Sequence, residues 1–236
     1  MGKGNYLLEL LYPPRCAMCG ELLDASDEKK CFCDRCRSLW EQAKEESCPN
    51  CRRDAQHCVC EPKYNRSRTV DSYRATVLYN NEKIKKLIYR IKTGYDAALY
   101  DAMAKELALS VMKYCQTDDN SCLSYPKRSK ASVREYGLDH AKKLCYEISK
   151  LTNIPVLDVI RHRRGAEQKT LSAGQRGENA AQSYYIRDND KIKVKDKRII
   201  FIDDVVTTGA TTVVCAALCK AAGAKGFYVI SIARTP

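Results

Sequence analysis

The chain has 236 residues, enough for one sizeable domain with a small appendage. It is 44% hydrophobic and 30% charged, the balance of a globular protein, and its formal net charge of +12 favours polyanionic partners. No run of eighteen apolar residues occurs, which excludes a membrane-spanning helix by composition.

The N-terminal stretch "MGKGNYLLELLYPPRC" lacks a long apolar core and a small-residue cleavage site. It is therefore not read as a signal peptide, and a cytoplasmic protein is expected. Fourteen cysteines without a secretion signal argue against a disulfide framework and for metal binding. Nine of them fall between Cys16 and Cys60. A Cys-rich domain is expected over residues 1–62. The polar stretch "CEPKYNRSRTVDS", which carries Pro62, reads as the linker to a second domain over 63–236.

Eight of these cysteines form pairs: Cys16 with Cys19, Cys33 with Cys36, Cys48 with Cys51, and Cys58 with Cys60. A short loop between paired thiolates lets both point at one tetrahedral ion, so four pairs suit two structural zinc ions. A segment of roughly 60 residues has little core of its own and benefits from such staples. Sequential and interleaved pairings are both chemically legal, and Cys31 and His57 are spare candidate ligands. The ribbon either only stabilises the N-terminus or also contacts DNA or a partner. Eight thiolates remove eight positive charges and two zinc ions return four, leaving a basic chain at +8.

Beyond the linker, strand-like and helix-like segments alternate. Residues 71–80 are β-branched and aromatic and predict a strand. Over 82–92, Ile84, Leu87, Ile88 and Ile91 recur at helical spacing with lysines opposite. A second helix is predicted over 96–115, a short strand over 122–126, a helix over 138–152 and a strand over 154–160. "KRIIFID" (197–203) predicts a buried strand, 210–224 a helix ended by Gly223, and 226–234 the last strand. Such alternation implies an α/β fold with a mostly parallel sheet flanked by helices, which binds ligands at the carboxyl ends of its strands.

"FIDDVVTTGATT" (201–212) falls at such a position. If the helix begins near residue 210, its first N–H groups lack intrahelical partners and face the turn, where the helix dipole adds positive charge. A phosphate fits there, with threonine hydroxyls as further donors. An ordinary N-cap at Thr208 or a neighbour would explain a threonine but not the two acids that precede it. Asp203 and Asp204 become tolerable side by side if they accept hydrogen bonds from sugar hydroxyls or help hold hydrated Mg²⁺. Together the two halves describe a ribose 5-phosphate.

The stretch "IIFIDDVVTTGATT" resembles the PRPP-binding motif of type I phosphoribosyltransferases. A multi-cysteine N-terminus joined to that motif is similar to the ComF family, also called competence protein F, which is amidophosphoribosyltransferase-like. The resemblance extends to "LIYRIKTGYDAAL" (87–99), with its Lys-x-Gly segment, and to "SYPKRSKASVREYGLDHA" (124–141). It also covers "QKTLSAGQRGEN" (168–179), through Gln168, Leu171, Arg176 and Asn179. Two places depart from the pattern. Tyr125-Pro126 replaces Val-Pro, and Asp139-His140 replace Asn-Gln.

The resemblance implies a type I phosphoribosyltransferase fold, PRPP as ligand and Mg²⁺ as its companion ion. By the same resemblance the 5′-phosphate lies on Val206, Thr207, Thr208, Gly209, Ala210 and Thr211. Asp203 and Asp204 would stabilise a cationic ribose during displacement of pyrophosphate. Lys127, Arg128, Lys130 and Arg134 would face the pyrophosphate. Arg164, Gln168, Lys169 and Arg176 would belong to a flexible loop that closes over the site. Plain solvated loops are the bland reading of both basic stretches, and His140 and His162 read as incidental. The acceptor is not visible in the sequence. The family also implies a role in DNA uptake and natural transformation. The alternative is a non-catalytic PRPP sensor or scaffold whose ribbon and basic loops bind single-stranded DNA or the uptake machinery.

Overall fold

A computed structural model of the chain describes residues 13–23, 31–63, 69–94, 96–163 and 183–236. The first described helix, α1 (Asp34–Glu45), lies inside the Cys-rich segment. The remainder runs β1 (Ser72–Leu78), α2 (Glu82–Thr93), α3 (Ala97–Tyr114), β2 (Ser121–Ser124), α4 (Lys130–Tyr136), α5 (His140–Thr152) and β3 (Ile160–His162). It continues with β4 (Tyr184–Ile186), α6 (Asp188–Val194), β5 (Arg198–Val206), α7 (Ala210–Ala221) and β6 (Gly226–Arg234).

Four strands form one sheet in the order β1-β6-β5-β2, and every neighbouring pair is parallel. The expected mostly parallel sheet is therefore present. β5 and β6 are buried along nearly their whole length, which is why both read as continuous apolar runs. Their side chains still alternate between faces. Ile200, Ile202, Ile230 and Ile232 join the core with α2, α3 and α5, whereas Ile199, Phe201, Phe227 and Val229 pack with Cys215, Ala216 and Cys219 of α7.

The helix starts are encoded locally. Asn81 caps α2 by accepting from the Ile84 N–H, Asp96 caps α3 through Leu99, and Asp139 caps α5 through Lys142. Residues 154–160, expected as a strand, pair with β2 only through a bridge between Val156 and Leu123. Pro155 has no N–H to give a ladder, although its carbonyl accepts from Leu123. Only Ile160 from this stretch enters a strand, in the antiparallel β3–β4 ribbon.

The Cys-rich segment shares the main core. Cys16, Cys36 and Trp40 are buried in the same cluster as Ile84 and Leu107. Trp40 Nε1 donates to Glu106 Oε1 of α3 at 3.3 Å, and Lys44 Nζ reaches the same oxygen at 3.0 Å. Arg90 of α2 donates to the Cys16 carbonyl at 2.6 Å.

Candidate functional site

The eight paired cysteines come together as two groups of four: Cys16, Cys19, Cys33 and Cys36, then Cys48, Cys51, Cys58 and Cys60. The pairing is sequential. Sulfur atoms bound at about 2.3 Å around one tetrahedral zinc lie about 3.8 Å apart. The Cys19–Cys33 and Cys48–Cys60 Sγ distances are 3.8 Å, and Cys51–Cys58 is 3.6 Å. Each group thus has the donor chemistry and spacing to hold one zinc ion.

The two groups start with the same turn. Gly20 N–H donates to the Cys16 carbonyl and Arg52 N–H to the Cys48 carbonyl, and both residues are left-handed, at φ 84° and 61°. Cys31 stands outside both groups, and burial pushes its thiol up to about 12. His57 is engaged elsewhere: Nδ1 lies 2.8 Å from Asp54 Oδ2 and Nε2 lies 3.3 Å from the Tyr114 hydroxyl.

At the carboxyl end of the sheet, β5 finishes through Asp203 and Asp204 and hands over to α7 at Ala210, as the sequence suggested. The N-cap is Gly209, left-handed at φ 78°, and no side chain caps the helix. Thr208 is therefore not an ordinary N-cap. Thr212 is turned inward, where its Oγ1 donates to the Gly209 carbonyl at 2.8 Å. Thr207, Thr208 and Thr211 keep exposed or partly exposed positions around the turn. The C-terminus braces it: Thr235 N–H donates to the Val206 carbonyl and Thr235 Oγ1 to the Thr207 carbonyl.

Both acids are buried. Asp203 Oδ1 accepts from the Asp204 N–H at 2.9 Å, and Asp204 Oδ1 accepts from the Val205 N–H at 2.6 Å. Burial first, and the Asp204 charge second, push Asp203 up to about 8. Asp204 goes the other way. Burial opposes its ionisation, but His140 and Lys92 outweigh that and hold it below the usual carboxylate range. His140 Nε2 lies 2.7 Å from Asp204 Oδ2, and Lys92 Nζ lies 3.4 Å from the same oxygen.

His140 is thus not incidental. The departure from Asn-Gln to Asp139-His140 puts an imidazole on the acidic pair. Asp139 serves the neighbouring loop instead. Beside capping α5, its Oδ2 accepts from the Arg128 N–H at 3.1 Å. Lys92 was also missed as a site residue, although its Lys-x-Gly context was a signal.

The strand-end loop after β2 opens on a basic cavity of about 930 Å³. Lys127, Arg128, Lys130 and Arg134 all line it, and Arg161, His162, Arg163 and Arg187 face them. Lys127 and Arg161 share Asp158, at 3.2 and 2.5 Å. Arg128 donates to the carbonyls of Lys92 and Leu138, which ties this loop to the acidic end of the site. Arg164, Gln168, Lys169 and Arg176 lie outside the described residues.

No protein-family model matches the chain. Over 234 residues it is 26% identical to competence protein ComFC of Streptococcus pneumoniae (strain ATCC BAA-255 / R6), covering 93% of this chain and all of that one. Along nearly its whole length the chain is thus similar to a ComFC protein. Among solved structures, it is similar to glutamine PRPP amidotransferase from B. subtilis, with a TM-score of 0.38 and 17% identity over 56% of this chain. It spans only 26% of that enzyme's length. It is also similar to a purine phosphoribosyltransferase from Pyrococcus horikoshii Ot3, with a TM-score of 0.36 and 19% identity, covering 60% of this chain and 77% of that one. The chain has the α/β architecture expected from its motif: a parallel sheet flanked by helices, an acidic strand end leading into a glycine turn, and a Cys-rich N-terminal segment. Among the described residues, no helix is long and apolar enough to cross a membrane.

Proposed function

We propose that the protein binds PRPP at the carboxyl end of β5 and transfers its ribose 5-phosphate to an acceptor, with Mg²⁺ accompanying the substrate. The observation that carries this reading is the turn after Asp203 and Asp204. There Gly209 starts α7 with no side-chain cap, so the helix N–H groups and dipole are open to an anion. The 5′-phosphate rests on Val206 to Thr211, and the ribose hydroxyls meet Asp203 and Asp204. The pyrophosphate faces Lys127, Arg128, Lys130 and Arg134.

The residues present fit a divalent cation, since Asp203, Asp204 and His140 offer ligand atoms close to one another. When bound, Mg²⁺ offsets charge on the departing pyrophosphate. The chain does the rest. Its basic cavity holds the leaving group, and its buried acids stabilise positive charge on the ribose as the bond to C1 breaks. No side-chain nucleophile is needed, because the acceptor attacks.

Calorimetry with PRPP and Mg²⁺ tests the site. Wild type should bind, and Asp203→Asn/Asp204→Asn should lose most of the affinity. No binding by wild type would remove the assignment.

A second reading rests on the basic cavity, whose cations exceed its carboxylate partners: PRPP binding without turnover, coupled to single-stranded DNA and a role in DNA uptake. Pyrophosphate release across a panel of amines and bases separates the two. The DNA arm predicts a gel shift that weakens steeply with salt.

A further inference from the structure

His140, Asp203 and Asp204 approach one another from two elements, the first turn of α5 and the end of β5. One ligand atom from each lies within 4.8 Å of the others, and all three residues are buried. The His140–Asp204 contact runs through Nε2 and is short at 2.7 Å, and Lys92 Nζ lies 3.4 Å from the same oxygen, yet Asp204 Oδ2 has no hydrogen-bond partner among the described residues. The two groups are close without being aligned as donor and acceptor. Atoms bound at about 2.1 Å to one octahedral cation sit about 3 Å apart along an edge, so this spacing suits neighbours in one coordination shell. A buried carboxylate oxygen that has an imidazole and an ammonium beside it, but no aligned hydrogen bond, keeps lone pairs that a cation can take.

The donor set also selects. Two carboxylates alone suit Mg²⁺, which takes oxygen ligands, whereas an imidazole nitrogen favours transition metals. A Gln at position 140, as in the ComF pattern, would offer no such nitrogen. We propose that His140, Asp203 and Asp204 form a protein-held site for a divalent transition-metal ion, filled in preference to Mg²⁺ and without PRPP. Lys92 supplies the positive charge at Asp204 when the metal is absent. Its side chain is 39% exposed, so its ammonium can move toward solvent when the ion enters. The proposal does not depend on PRPP binding. Its failure would leave that reading standing, and the calorimetry above tests that reading in Mg²⁺.

Mn²⁺ is the probe, because it is visible by electron paramagnetic resonance and is a poor competitor for thiolate zinc sites. The zinc-loaded full-length protein should bind one Mn²⁺ without PRPP, and equimolar Mg²⁺ should not displace it. Pulsed resonance should show nitrogen coupling to the bound ion. His140→Gln should lower Mn²⁺ affinity by about tenfold or more, with zinc content and circular dichroism unchanged. No Mn²⁺ binding by wild type, displacement by equimolar Mg²⁺, or bound Mn²⁺ without nitrogen coupling would overturn the site. The nitrogen coupling is read on wild type, so the test stands even if His140→Gln does not fold.

Discussion

Pro62 lies directly against Gly209. A Cβ built on Gly209 would come 2.6 Å from the Pro62 Cβ, well inside van der Waals contact. The segment that leaves the second cysteine group therefore packs on the turn that begins α7. Gly209 is also left-handed, a conformation that costs an L-residue about 1–2 kcal/mol. Gly209→Ala must absorb that strain and push Pro62 away. It should lower the melting temperature and weaken PRPP binding by tenfold or more. A variant that binds PRPP within twofold of wild type would show that this backbone does not approach the ligand.

Much of this arrangement is readable along the chain. β5, its acids and its turn are contiguous, so motif and element coincide. The cysteine pairs are equally local. What sequence reading lost were contacts between distant segments. His140 reaches Asp204 only because the start of α5 packs beside the end of β5, and Lys92 arrives from the end of α2. Pro62 on Gly209 is of the same kind. α1 escaped for another reason: its inward residues are Cys36, Trp40 and Ala43, and the cysteine spacing hides that helical stripe. The β3–β4 ribbon has three paired positions, too few for period-2 alternation to register.

Asp158 joins Lys127 and Arg161, two residues that line the basic cavity. Burial opposes its ionisation, but the hydrogen bond and charge of Lys127, with the charge of Arg161, outweigh burial and depress its pKa. A depressed carboxylate stabilises the fold above its unfolded pKa of about 3.9, and that contribution is lost as pH falls through the lower folded value. Asp158→Asn should therefore cost about 1 kcal/mol at neutral pH, the scale of a partly exposed pair. The gap between wild type and variant should close in acid. Denaturant melts at several pH values measure this, and a gap that widened on acidification would contradict the pairing.

Lys130 and Arg134 line the cavity but are exposed, and neither has an ion-pair partner among the described residues. Removing them should leave stability nearly unchanged. Lys130→Ala/Arg134→Ala should weaken inorganic pyrophosphate binding by about tenfold or more, since charge-assisted hydrogen bonds carry about 1.5–3 kcal/mol each. The loss should shrink at high salt, where exposed charges are screened. Isothermal titration at two ionic strengths gives both readings, and unchanged affinity at low salt would place the pyrophosphate elsewhere.

Trp40 is the only tryptophan in the chain, and it reports on the Cys-rich segment. It is buried beside α3, one helical turn beyond Cys36 of the first cysteine group. A ribbon of this size has little core of its own, so its folding should depend on its metal. Chelation should shift Trp40 emission to the red as the ring meets water. It should also reach the far site. Cys60 of the second group accepts a hydrogen bond through its carbonyl from Arg234, a buried residue at the end of β6 that pairs in register with Val206. Release of that carbonyl, and of Pro62 two residues on, would loosen the turn at Gly209. Zinc removal should therefore weaken PRPP binding in step with the fluorescence change, and added zinc should restore both. If the emission shifts while PRPP affinity stays at its zinc-loaded value, the ribbon is a separate stabilising unit and the contact between Pro62 and Gly209 transmits nothing.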